Sequence, residues 1–158
     1  MADERWPALK VADWTDTRET LHMWLQIVGK IQLAATPLIN HWWNVAFAVS
    51  SRGLRTGMMR DGALGFDAEF DFIDHRLVIR TTAGDERAVA LQPRTVADFY
   101  AATMTALAEL HLDCVIVAHP NEVSAAVPFA EDTEHHSYDP AAAHAFWRQL
   151  VAISGVFE

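Results

Sequence analysis

The sequence predicts an α+β domain in which an antiparallel meander of about four to five strands is layered with three helices. Apolar residues recur at helical spacing near both ends and in the middle of the chain, while Phe66 to Leu91 alternates with the two-residue period of strands. Two turn signals join those alternating runs. The order helix, strands, helix, strand, helix lacks the repeated strand–helix–strand units of a parallel sheet. With 158 residues, 51% hydrophobic and 21% charged, the chain has the size and composition of one domain, spanning 1–158.

Asp16 with Glu19 three residues on reads as a capping box, and Leu21, Trp24, Leu25, Val28, Ile31 and Ala35 form one helical face that ends before Pro37. The opposite face carries His22, Gln26 and Lys30 one turn apart, either a solvated stripe or the wall of a cleft. Residues 43–49, WNVAFAV, alternate as a strand; RGLRTGMMRDGALG then breaks all periodicity with four glycines, as a loop does.

Phe66, Ala68, Phe70 and Phe72 alternate with Asp67, Glu69 and Asp71, giving a strand with one apolar and one wet face. A two-residue turn at Asp74 and His75 pairs Phe72 with Leu77, Phe70 with Ile79 and Glu69 with Arg80. A second turn around Gly84 brings Val89 and Leu91 to the face of Ile79 and Leu77. Thr95, with Asp98 three residues on, caps a helix whose stripe is Val96, Phe99, Tyr100, Met104, Leu107 and Leu110, lying on the meander's apolar face. DCVIVA, residues 113–118, reads as a buried strand with Cys114 in the core. Asp139 caps a last helix that starts at Pro140 and turns Ala143, Phe146, Trp147, Leu150 and Val151 inward.

A net charge of -9 repels phosphate backbones and anionic membranes, so neither nucleic acid nor a membrane is an expected partner. MADERWPALK has no signal-peptide pattern and no apolar run reaches membrane-spanning length. The single cysteine excludes an intrachain disulfide, and together these features point to a reducing cytoplasm.

Four segments carry candidate chemistry. Asn40, His41, Trp42, Trp43 and Asn44 could orient a planar or polar ligand, or could plug the core edge and close a turn. Asp67, Glu69 and Asp71 with Asp74 and His75 could hold a divalent metal or do acid/base work, or could form a solvated face balanced by Arg80 and Arg87. EDTEHHSYDP offers Glu131, Asp132, His135, His136 and Tyr138, of whose adjacent histidines only one naturally joins a given site. Arg52, Arg55 and Arg60 could cradle an anion or sit on a surface loop; the spacing is not that of a P-loop. No GxSxG or HExxH supports a nucleophile or a zinc peptidase.

The segments LHMWLQIVGKIQL, NHWWNVAFAVSSRGL, FDFIDHRLVIRT, RTVADFY and EHHSYDPAAAHAFW, in that order, resemble the bacterial family known as domain of unknown function 5996, from about Trp6 to Trp147. The resemblance implies no activity. It implies that His22, Gln26, Lys30, Asn40, His41, Trp42, Trp43, Arg52, Gly53, Asp71, Asp74, His75, His135, Ser137, Tyr138 and Asp139 fall in signature segments. Met58, Met59 and Arg60 stand where the family carries proline and an aromatic, and family members continue past the last helix, so this chain resembles their N-terminal half.

The expected function is small-molecule binding in a pocket gathering His41, Trp42, Trp43, His75, His135 and Tyr138 over one sheet edge. His75, His41 and Asp71 are the expected acid/base residues, and His22, Lys30, Asn40, Trp42, Trp43, Arg52 and Tyr138 the expected ligand contacts. A metal-dependent version uses a divalent cation on His75, His135 and Asp74. The rival is a noncatalytic interaction module that pairs with itself or another protein through an exposed aromatic edge.

Overall fold

The computed structural model describes residues 6–157. A 3-10 turn over Val11–Asp13 leads into α1 (Thr15–Ala35), which begins one residue ahead of Asp16; no side chain caps it, so the expected capping box is not formed. Asp16 instead lies in the first turn, where a carboxylate favours the helix dipole. Leu21, Trp24, Val28 and Ile31 are buried as the periodicity predicts, joined by Met23 and Ile27.

Residues 43–49 do not form one strand. Asn40–Val45 is a 3-10 turn, and β1 is only Ala48–Val49. His41 and Trp42, just ahead of the expected strand, both lie in the left-handed region, at φ 57° and 60°, so the chain turns here before it extends. The turn is fastened by Gln32 Nε2 donating to the Val45 carbonyl (3.0 Å) and Asn44 Nδ2 donating to Thr36 Oγ1 (3.0 Å).

The glycine-rich stretch holds two three-residue strands rather than a loop, β2 (Gly53–Arg55) and β3 (Met59–Asp61). Both pair antiparallel with β4 (Leu64–Asp71), which pairs on its other edge with β5 (Arg76–Thr81), followed by β6 (Glu86–Ala90). The six-stranded sheet runs β1-β2-β4-β5-β6 with β3 beside β4. Gly53 is required at this crossing: a Cβ there would stand 1.8 Å from the Phe70 carbonyl oxygen.

The β4–β5 register differs by two residues from the expected one: Phe70 faces Leu77, Ala68 faces Ile79 and Asp67 faces Arg80. Asp71 Oδ1 accepts the amides of Ile73 (2.8 Å) and Asp74 (2.9 Å), which starts the turn early and leaves Phe72 to His75 as its connection. A slip of two preserves parity, so Phe66, Ala68, Phe70, Leu77, Ile79 and Val89 are all buried as expected. Val78 and Asp71 are buried on the opposite face, which is therefore not wholly wet.

Thr95 caps α2 (Val96–Glu109) by accepting the Asp98 amide. The helix lies on the apolar face, where Phe99 stacks between Phe70 and Trp24. Residues 113–118 are extended but join no strand; Cys114, Ile116 and Ala118 pack on the core while Val115 and Val117 are 83% and 71% exposed. Alternation there marks one-sided packing, not a ladder. Asp139 Oδ1 accepts the Ala141 and Ala142 amides at the start of α3 (Pro140–Phe157), which buries Ala143 and Trp147 but leaves Val151 39% exposed.

Candidate functional site: a cleft along the first helix

The polar stripe of α1 is the wall of a cleft. Opposite it runs the segment around Asn121, joined to α1 by a reciprocal amide pair: Gln26 Nε2 donates to the Asn121 carbonyl (2.9 Å) and Gln26 Oε1 accepts the Asn121 amide (2.8 Å). That pair fixes the Gln26 amide orientation and turns its second N–H toward His22 Nε2 (3.2 Å), which must then accept, leaving the His22 proton on Nδ1. Lys30 Nζ donates to Asn121 Oδ1 at 2.7 Å.

Two cavities lie along this wall with Glu122 lining both. One, about 440 Å³, is lined by Arg18, Glu19, His22, Ser124 and His135; the other, about 410 Å³, by Gln26, Gly29, Lys30, Leu33, Trp42 and Val45. Each has the volume of an ordinary small-molecule site.

His135 is held from behind. Asp132, only 2% exposed, accepts the backbone amides of Glu134 and His135 on Oδ1 (3.1 Å each) and His135 Nδ1 on Oδ2 (2.8 Å). A carboxylate only accepts, so neutral His135 carries its proton on Nδ1 and keeps its lone pair on Nε2. The first turn of α2 anchors the loop, because the Val96 amide donates to the His135 carbonyl and the Ala97 amide to that of Asp132. His136 lines a different cavity, about 390 Å³, with Trp14, Asp16 and Tyr138, so the two adjacent histidines do part as expected.

The hairpin residues form a second cluster. His75, at φ 50°, bonds Tyr138 Oη through Nδ1 (2.9 Å). Burial and then the neighbouring charge of His144 hold the His75 pKa below its ordinary 6.5, against the opposing pull of Asp71 and Asp74. Burial of Tyr138 raises its phenol well above the usual range, with Asp139 and Asp71 adding to the effect. Asp71 is buried, which alone would raise its pKa, but the Arg52 hydrogen bond (2.6 Å) and the amides of Asp74 and Ile73 outweigh this and lower it. Arg52 also bonds Asp74, and Arg80 spans Asp67, Glu69 and Glu86. Arginines thus balance the acidic hairpin.

Among the described residues the predicted set does not gather in one pocket: Trp42, His135 and Tyr138 line three different cavities. Trp43 is 68% exposed and lies beside His41, with ring centroids 6.0 Å apart, so neither indole of the pair plugs the core. The proposed metal set separates too. His75 is bonded to Tyr138, His135 to Asp132 and Asp74 to Arg52, and among the described residues no three His, Cys, Asp or Glu side chains gather around a shared point. Along α1, His22 and His135 share one cavity and Lys30 and Trp42 share the adjoining one, with Glu122 lining both. Asp132, the partner that orients His135, was readable only as a D-x-x-H spacing within a loop.

A profile described as a family of unknown function, DUF5996, matches residues 6–158. The chain belongs to DUF5996. The matched span runs past Trp147 and covers essentially the whole chain. No curated protein and no solved structure matches this DUF5996 chain. No helix among its described residues is long and apolar enough to cross a membrane.

Proposed function

We propose that the α1 cleft binds a small polar molecule and that His135 exchanges a proton with it. The observation that carries this reading is an imidazole oriented by a buried carboxylate, lining a cavity of ligand size. Nε2 of His135 accepts a proton from the bound molecule, the Asp132 carboxylate stabilises the resulting imidazolium through Nδ1–H, and the same nitrogen returns the proton to the product. His22, locked as the Nδ1–H tautomer by Gln26, and Glu19 and Glu122 supply the polar contacts that orient the molecule.

A thermal-shift screen of small polar acids, amines and sugars tests this. A true ligand at a hundred times its Kd stabilises the fold by about 2.7 kcal/mol, which for a chain of this size raises Tm by roughly 5–10 °C. His135→Ala and His22→Ala should keep the fold, as both side chains stand at the cleft wall, and should lose most of that shift. An equal shift in both variants would place the ligand elsewhere.

A second reading, self-association, is favoured by one observation: Trp6, Val156 and Phe157 are 48%, 69% and 86% exposed at the end of α3. Two copies meeting there would cover these side chains.

A further inference from the structure

We infer that the Trp42 end of the cleft is a subsite for a flat aromatic ring bearing a carboxylate or similar anion, a conclusion that rests on the cleft being a ligand site. Gly29 is the first reason. It lies mid-helix in α1, where glycine is the least favourable residue other than proline. A Cβ added there would meet nothing within 4 Å, so packing does not exclude a side chain. Any side chain would instead project into the groove that Gly29 lines. The helix retains its weakest residue where a flat surface against the backbone is open.

Trp42 is the second. Its indole lines the same groove with Leu33 and Val45, yet the residue and its neighbour His41 are both in the left-handed region, a strained backbone for large side chains. The strain is held by Trp42 N–H donating to the Ile39 carbonyl and by Asn44 Oδ1 accepting the Ile39 amide. An indole and two aliphatic side chains around a side-chain-free helix face suit a planar ring, which stacks on tryptophan at low entropic cost.

Lys30 is the third. The protein has 21 acids and 12 bases, and the hairpin arginines are all in ion pairs, yet the Lys30 ammonium bonds only the neutral Asn121 Oδ1 among the described residues. Two of its three N–H groups remain available at the groove wall. Glu122 lines the groove without pairing with it. An ammonium at the groove wall with N–H groups to spare is matched by an anion on the ring's rim.

Benzoate is the probe, with cyclohexanecarboxylate (same charge, no flat ring) and benzamide (same ring, no charge) as controls, read through the indole N–H resonances of the full chain. Benzoate should move the Trp42 signal in a saturable way, and each control should bind at least tenfold more weakly. Gly29→Leu, which fills the groove, and Lys30→Met should each weaken benzoate at least tenfold. Gly29→Ala should raise Tm by about 2–4 °C while weakening benzoate, opposite signs that a purely structural glycine would not give. No saturable Trp42 shift, or undiminished binding in Gly29→Leu, overturns the inference. If benzoate fails while a screened compound still depends on His135 and His22, the aromatic-anion assignment alone falls; if both fail, the cleft is not a ligand site.

Discussion

Asp71 and His75 are neighbours at one hairpin tip whose pKa values are both depressed in the fold, and for a depressed group the sign is the same in each case. Above its unfolded pKa the group contributes stability; as pH falls, the unfolded chain takes up the proton first and that stability is lost. For His75 the loss begins below its ordinary 6.5, and for Asp71 below 3.8. Urea midpoints measured at about pH 7.5 and about pH 5.5 should therefore fall with pH in the native protein. They should fall less in His75→Asn, which removes the titration and tolerates φ 50°. Equal losses in the two proteins would mean that His75 is not held neutral by its surroundings. Single-residue signals of this kind were legible only where chemistry is local. The Thr95 and Asp139 caps follow from spacing along the chain, whereas His75 meeting Tyr138 and His135 meeting Asp132 depend on loop backbones that carry no period.

Among the elements, the long periodic ones were readable and the short ones were not. α1, α2, α3 and the β4–β5 pair show enough repeats to reveal a face. β2 and β3 have three residues each and owe their strand geometry to the edge of β4, so their own sequences are too short to show a period among the surrounding glycines. Gly53 explains one of those glycines: Gly53→Ala drives a Cβ against the Phe70 carbonyl and should cost roughly 2–3 kcal/mol as β2 shifts away from β4. Gly29→Ala should have the opposite sign, a gain of about 1 kcal/mol from helix propensity. Chemical denaturation of the two variants side by side checks both; a loss at Gly29 would show that the residue serves the fold and not the groove. The two-residue register slip at Asp71 left the buried set intact because parity, not pairing, determines which side chains face the core.

At the scale of the whole molecule, the expected gathering of histidines and tryptophans separated into two clusters on different surroundings, one along α1 and one at the hairpin tip. Sequence order indicated an antiparallel sheet layered with helices, since that follows from which elements exist; it could not say that the segment around Asn121 folds back onto α1 across about 90 residues of chain. That contact turns a stripe of His22, Gln26 and Lys30 into a cleft wall and brings Trp42 and His135 to its two ends. The exposed apolar end of α3 makes a separate prediction at this scale: sedimentation velocity should show a concentration-dependent dimer that Phe157→Asp with Val156→Asp abolishes, while a monomer at all concentrations would remove the self-association reading.

Binding of a small molecule in the α1 cleft, and not at the hairpin tip, is the proposal on which the others depend. The most direct measurement is the set of histidine imidazole resonances recorded with and without a compound from the thermal-shift screen. The signals of His22 and His135 should move on titration while those of His75 and His144 stay in place. Movement of His75 and His144 with His22 and His135 unchanged would contradict it.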